Sequence, residues 1–157
     1  LILHGEDGLD PRAAFLEQLA SVGHVFAPSH PGYGRSPDVD HIDTVDDLSY
    51  FYLDLLAERN LRDVTVIGFS LGGWLAAEMA VKSTSRIARL VLVAPLGIKV
   101  GGRETRDIPD IFALPQEEIV RLKYHAPSLA AVEYATLSED ELTIIARNRE
   151  MSRLVCG

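Results

Sequence analysis

The spacing of apolar positions changes several times along the chain. At residues 1–4 (LILH) they are contiguous, which predicts a short buried strand. After the turn-rich HGEDGLD, Ala14, Phe15, Leu16 and Leu19 form one apolar side behind Pro11, so a helix is predicted over Pro11–Ser21. A strand is predicted at His24–Ala27. Residues 28–40 (PSHPGYGRSPDVD) hold three Pro, two Gly and two Ser and read as loop. Thr44 can cap the next helix with Asp47 as its box partner. Leu48, Phe51, Tyr52, Leu55 and Leu56 then repeat at helical spacing to about Asn60.

Residues 63–80, DVTVIGFSLGGWLAAEMA, pass from strand to helix with no loop between. Val64, Val66 and Ile67 are β-branched and suit a strand buried on both faces, whereas Leu71 to about Lys82 is rich in Leu and Ala and reads as helix. A further apolar strand is predicted at Leu90–Ala94. The resulting β-α-β-α-β-α-β series predicts a mostly parallel sheet with helices on both faces over residues 1–97. Beyond it the pattern turns polar and breaker-rich, followed by helix-like PQEEIVRLKY and a helix over Ser138–Leu154 opened by a Ser138–Glu141 box. Residues 98–157 therefore read as an added helical segment.

Composition narrows the classes without changing this outline. The 157 residues are 47% hydrophobic and 24% charged, enough for one packed domain. The longest apolar run, Leu90–Ile98, is far shorter than the roughly 18 residues that cross a bilayer, and Pro95 and Gly97 interrupt it, so no membrane span is expected. Fifteen basic against twenty-three acidic residues give a net charge of −8 with no sustained Lys/Arg cluster, which argues against a nucleic-acid partner. The lone Cys156 forms no internal disulfide, and no Cys/His cluster suggests zinc or another metal. A cytoplasmic setting is expected. The chain starts inside an apolar run and stops directly after an amphipathic pattern, which reads as part of a longer protein; a signal peptide is not addressed by these residues.

The candidate chemistry centres on Ser70. A chain that turns from strand to helix within about three residues must bend sharply there, and a non-glycine residue at the bend is expected in strained backbone space. Gly68 and Gly72, two before and two after, avoid side-chain clashes where strand and helix nearly touch. A bare G-x-S-x-G occurs by chance in about one chain in twenty of this size. Between a β-branched strand and an Ala-rich helix, and followed by Gly73 and Trp74, it has the context that lifts a serine hydroxyl clear of a sheet edge, beside the free N–H groups of a helix start.

Three stretches then resemble the α/β-hydrolase superfamily, in that family's order. LHGEDG (3–8) resembles its His-Gly-x oxyanion loop, SHPGYGRS (29–36) its Pro-Gly-x-Gly-x-Ser loop, and GFSLGG (68–73) its nucleophile elbow. The resemblance implies a partial α/β-hydrolase fold over residues 1–97 and the start of a helical cap or lid over 98–157. It also implies a nucleophile at Ser70, an oxyanion hole from the backbone N–H groups of Glu6 and Leu71, elbow glycines Gly68 and Gly72, and no metal or cofactor. The side chains of Glu6 and Asp7 must then point away from the developing oxyanion. Such a serine needs a histidine base and an acid, which this family places after the serine in chain order.

Of five histidines only His125 follows Ser70, within the cap-like segment, where a solvated or packing imidazole is the blander reading. His4 reads as structural in the oxyanion loop, His24 as a strand-edge residue, and His30 and His41 as solvated or substrate-facing loop residues. The position after the sixth family strand reads Ala94-Pro95-Leu96 with no carboxylate, so the acid and base are expected beyond Gly157, and residues 1–157 alone should turn over little. Tyr33 and Trp74 are candidates to face a pocket, with packing favoured for Trp74. Asp46 and Asp47 read as helix-dipole partners, and Arg103, Arg106, Asp107 and Asp110 as a solvated mixed-charge loop. The leading function is hydrolysis of an ester, amide or activated C–C bond in a small, mostly apolar substrate. The alternative is a non-catalytic binding or regulatory protein of the same fold; a phosphate or dinucleotide module is disfavoured because G-x-G-x-x-G and a Walker lysine are absent.

Overall fold

In the computed structural model, which describes residues 1–110, 113–130 and 133–156, three parallel strands form the sheet. They are β1 (Ile2–Leu3), β2 (Val64–Phe69) and β3 (Ile87–Val93), in the order β1-β2-β3, with Ile2 opposite Ile67 and Phe69 opposite Val93. The strand expected at His24–Ala27 is absent from this sheet. A single ladder-type bond, Ile2 N–H to Phe26 O at 2.8 Å, runs along β1 there, and one bond does not make a strand. β3 begins three residues earlier than expected because Arg89, polar in an apolar frame, pairs with Thr65 at a register irregularity. Leu90, Val91 and Val93 on this outer strand remain partly exposed.

The helices are α1 (Ala14–Ala20), α2 (Val45–Glu58), α3 (Leu71–Lys82), α4 (Gln116–Lys123), α5 (Pro127–Ala130) and α6 (Glu139–Cys156), with a 3₁₀ turn at Tyr134–Thr136. α1 starts later than the expected Pro11. Asp10 takes the N–H of Arg12 on its carboxylate and that of Ala13 on its carbonyl, which holds residues 10–13 in a turn and leaves the helix to start at Ala14. α2 begins as expected: Thr44 Oγ1 accepts from Asp47 N–H at 3.1 Å, and Asp47 Oδ2 accepts from Thr44 N–H at 3.0 Å. Asp46 pairs with Lys82 Nζ at 2.6 Å, tying α2 to α3. The Ser138–Glu141 box at the start of α6 is also present.

Contacts divide the chain into two compact units, residues 1–98 with 144–157, and residues 99–143. The first holds the core, in which Leu3 and Val66 of the sheet meet Leu48, Tyr52 and Leu56 of α2 and Leu71, Leu75 and Met79 of α3, all fully buried. Residues 144–157, grouped by the sequence reading with 98–143, pack with this unit through Val155. In the second unit Asp107, expected to be merely solvated, accepts from Lys99 Nζ at 3.0 Å and Val100 N–H at 3.2 Å. Residues 111, 112, 131, 132 and 157 of the expected cap segment lie outside the described residues. Among the described residues no helix is long and apolar enough to cross a membrane.

Candidate active site

At the turn from β2 into α3, Ser70 has φ 50° and ψ −113°, the strained backbone expected of it. The bend is held from both sides. Ser70 N–H donates to Val93 O and Ser70 O accepts from Leu96 N–H, both at 3.0 Å, so the end of β3 clamps the peptide units around the serine. A Cβ on Gly68 would run into the carbonyl of Gly72, and one on Gly72 into the carbonyls of Leu3 and His4. Both expected elbow glycines are therefore required by backbone that cannot step aside. The Ser70 hydroxyl makes no hydrogen bond among the described residues. Leu71 is the first residue of α3, so its N–H has no acceptor within the helix, while its side chain is fully buried in the core.

The loop after β1 comes directly against this turn. A Cβ on Gly5 would lie 3.2 Å from Ser70 Cβ and 3.4 Å from Phe69 O. The backbone of this loop is fixed by a buried pair of imidazoles. His4 Nε2 accepts from His30 N–H at 2.9 Å, so the His4 proton sits on Nδ1, which donates to Gly5 O at 2.7 Å. His30 Nε2 faces His4 O at 3.0 Å and must donate there, leaving Nδ1 to accept from the Tyr52 hydroxyl at 2.6 Å. The two rings stack with centroids 3.7 Å apart. His30, expected to be a solvated or substrate-facing loop residue, is thus fully buried, because α2 supplies a partner through Tyr52.

Burial pushes both imidazoles below their ordinary pKa, for His30 reinforced by its neighbour His4. The consequence for stability has a definite sign. The unfolded chain takes up these protons near pH 6.5 and the folded chain only at lower pH, so this contribution is whole above that value and shrinks as pH falls below it. Thermal melts are expected to drop between pH 7 and 5, above the range where ordinary carboxylates titrate. A flat melting temperature across that interval would contradict the buried neutral pair.

α6 holds the same loop from another side. Asn148 Nδ2 donates to Asp7 O at 2.9 Å and its Oδ1 accepts from Gly34 N–H at 2.7 Å. Four residues on, Ser152 Oγ donates to Glu6 O at 3.1 Å and accepts from the Tyr33 hydroxyl at 2.9 Å. Tyr33, a pocket candidate from sequence, is instead fully buried in this seam, and burial raises its pKa far above the ordinary phenol range. Glu6 is buried as well, at 7% exposure, and its charge opposes ionisation of Tyr33 and of Cys156, whose thiol is pushed up to about 11 mainly by burial. Asp7 is exposed.

His24 and His41 are exposed residues of the first unit and His125 an exposed residue of the second. Trp74 packs its ring against Gly97 and donates its indole N–H to Glu78 at 3.2 Å, in keeping with a packing role. Sequence reasoning missed His30, Tyr52, Asn148 and Ser152. The signal available for the last two was their spacing with Val155, which puts three residues on one face of α6.

A family model described as the alpha/beta hydrolase family matches residues 1–153. Among curated proteins, the chain is 33% identical over 98 residues to the dihydrolipoyllysine-residue acetyltransferase component of acetoin cleaving system from Cupriavidus necator, covering 62% of this chain and 26% of that one. It is 36% identical over 64 residues to pimeloyl-(acyl-carrier protein) methyl ester esterase from Photobacterium profundum, covering 41% and 23%. The chain thus spans about a quarter of the length of these relatives. Among solved structures, the N-acyl homoserine lactonase AidH complexed with N-butanoyl homoserine superposes with a TM-score of 0.61 at 21% identity, over 99% of this chain and 59% of that one, a likeness of fold. With the family match running through nearly every residue from the first strand to the last helix, the protein belongs to the alpha/beta hydrolase family.

Proposed function

We propose that the protein is a serine hydrolase in which Ser70 Oγ attacks the carbonyl carbon of an ester, amide or activated C–C bond in a small, mostly apolar substrate. The observation that carries this reading is the strain at Ser70. A residue held at φ 50° by bonds to Val93 and Leu96, its hydroxyl engaged by no described group, is maintained at a cost of order 1–3 kcal/mol that a glycine would avoid. Attack transfers the hydroxyl proton to a base and places negative charge on the former carbonyl oxygen. The N–H groups of Leu71 and Glu6 are the proposed donors to that oxygen; one such donor contributes roughly 3–4 kcal/mol where it has been removed in other enzymes. Collapse of the tetrahedral intermediate expels the leaving group with the proton, and water then releases the acyl group from Ser70 by the same steps in reverse order. In this reading residues 99–143 belong to a lid-type insertion. The esterase among the relatives supports an ester as the first substrate to try.

None of the described histidines hydrogen-bonds Ser70 Oγ, so the base is the partner this reading leaves unassigned. The decisive test is labelling with a fluorophosphonate probe followed by peptide mapping, on residues 1–157 and on the protein expressed from its complete gene. The expected result is a label on Ser70 in the latter and little in the former. A folded protein from the complete gene that takes no label would point to a non-catalytic binding role.

A further inference from the structure

The peptide joining Gly5 to Glu6 is a rigid trans plane, in which the carbonyl oxygen and the N–H point in opposite directions. Whatever aims Gly5 O therefore also aims Glu6 N–H. Gly5 O accepts two hydrogen bonds, from His4 Nδ1 at 2.7 Å and from Gly8 N–H at 3.1 Å. The first depends on where the His4 proton sits, which His30 N–H decides by occupying Nε2. His30 is itself held by its own Nε2 bond to His4 O and by the Tyr52 hydroxyl on Nδ1. A continuous chain of polar contacts thus runs from the middle of α2 to the carbonyl of Gly5, a residue that packs closely on Ser70.

Simple loop anchoring does not require this arrangement. Two imidazoles stacked in a fully buried site must each be desolvated, and an apolar pair would fill the same space without unpaired nitrogens to satisfy. What imidazoles add is direction and polarisation. Each bond accepted by Gly5 O draws electron density toward that oxygen and makes the N–H on the same amide a stronger donor, a cooperative gain of about 10–30% per bond.

We propose that the buried His4–His30–Tyr52 chain aims and strengthens the Glu6 N–H toward the oxyanion, which makes His4 and Tyr52 positioning residues of the reaction. The inference rests on the reading of Ser70 as nucleophile and of Glu6 N–H as oxyanion donor. Neither side chain touches the substrate; both act through the Gly5–Glu6 peptide.

The test measures kcat and KM for p-nitrophenyl butyrate, with a thermal melt for each variant, on the protein expressed from its complete gene. His4→Gln reaches the Nε2 position and keeps the link to His30 while losing the donor to Gly5 O. His4→Asn places its amide near Nδ1 and keeps that donor. Tyr52→Phe removes a single oxygen and carries the test if the His4 variants do not fold. Since deleting a whole oxyanion donor lowers kcat by about 10²- to 10³-fold, mis-aiming one is expected to cost less. The expected values are a kcat about 30-fold down in His4→Gln, within about fivefold of wild type in His4→Asn, and about three- to tenfold down in Tyr52→Phe, with KM within about twofold throughout. Wild-type kcat in a folded Tyr52→Phe or His4→Gln protein overturns the inference, as does a loss of kcat in both His4 variants that simply follows melting temperature. A wild-type protein with neither ester turnover nor a fluorophosphonate label on Ser70 overturns the nucleophile reading, and this inference with it.

Discussion

Ser70→Ala is expected to lower kcat for a chromogenic ester by a factor on the order of 10⁴ to 10⁶ while the protein stays folded. Nucleophile, base and acid act as one unit, so loss of the nucleophile alone removes nearly all of their joint effect, and what survives comes from oxyanion donors and binding. Stability should move independently of activity. Ser70→Gly relieves a φ of 50° worth of order 1–3 kcal/mol, against about 0.5–1 kcal/mol of added chain entropy in the unfolded state. It should therefore melt at or above the wild-type temperature although inactive. An alanine variant that retained a tenth of wild-type turnover would remove Ser70 from the chemistry, and a glycine variant melting well below wild type would mean the strain is not what the backbone angles imply.

The second large effect is expected at Gly72→Ala. Its new Cβ meets the carbonyls of Leu3 and His4, which belong to β1 and to the loop packed on Ser70, so neither can retreat without opening the sheet or the loop. Overpacking against flexible side chains costs about 1–3 kcal/mol; against backbone the expected loss is about 3 kcal/mol or more, read by denaturant melts. Gly23→Ala is the matched control, since a Cβ there meets nothing within 4 Å and should shift stability by less than about 0.5 kcal/mol. Equal stability of the two variants would show that the close approach of α3 and β1 is softer than the geometry requires.

The elbow was legible in the sequence because its constraints are local. Two glycines at fixed offsets, β-branched residues before and Ala-rich residues after announce the turn at Ser70, which Val93 O and Leu96 N–H then clamp, and the Thr44–Asp47 box is complete within four residues. Other features depend on partners far along the chain. Residues 24–27 look like a strand by composition, but pairing makes a strand, and only Phe26 O meets β1. His30 and Tyr33 sit in a Pro- and Gly-rich loop, where the sequence suggests a solvated or substrate-facing histidine and a pocket-facing tyrosine; Tyr52 of α2 and Ser152 of α6 hold them buried instead. Asn148 and Ser152 are polar positions within the predicted final helix, and the residues around them do not announce that two backbone carbonyls, Asp7 O and Glu6 O, wait for their donors. Tertiary hydrogen bonding overrides polarity as a guide to burial wherever a polar side chain finds a loop backbone to satisfy.

One residue of the elbow helix also makes the site observable. Trp74 is the single tryptophan of the 157-residue sequence, its backbone N–H donates to Ser70 O at 3.2 Å, and its indole lies half-buried against Gly97 with its N–H on Glu78. Within these residues intrinsic indole emission has one source, joined by a backbone hydrogen bond to Ser70, the proposed nucleophile. Acylation of Ser70, relaxation of its backbone or separation of Gly97 from the helix would each alter the polarity around that ring, so a fluorimeter can follow the elbow in real time without an added dye.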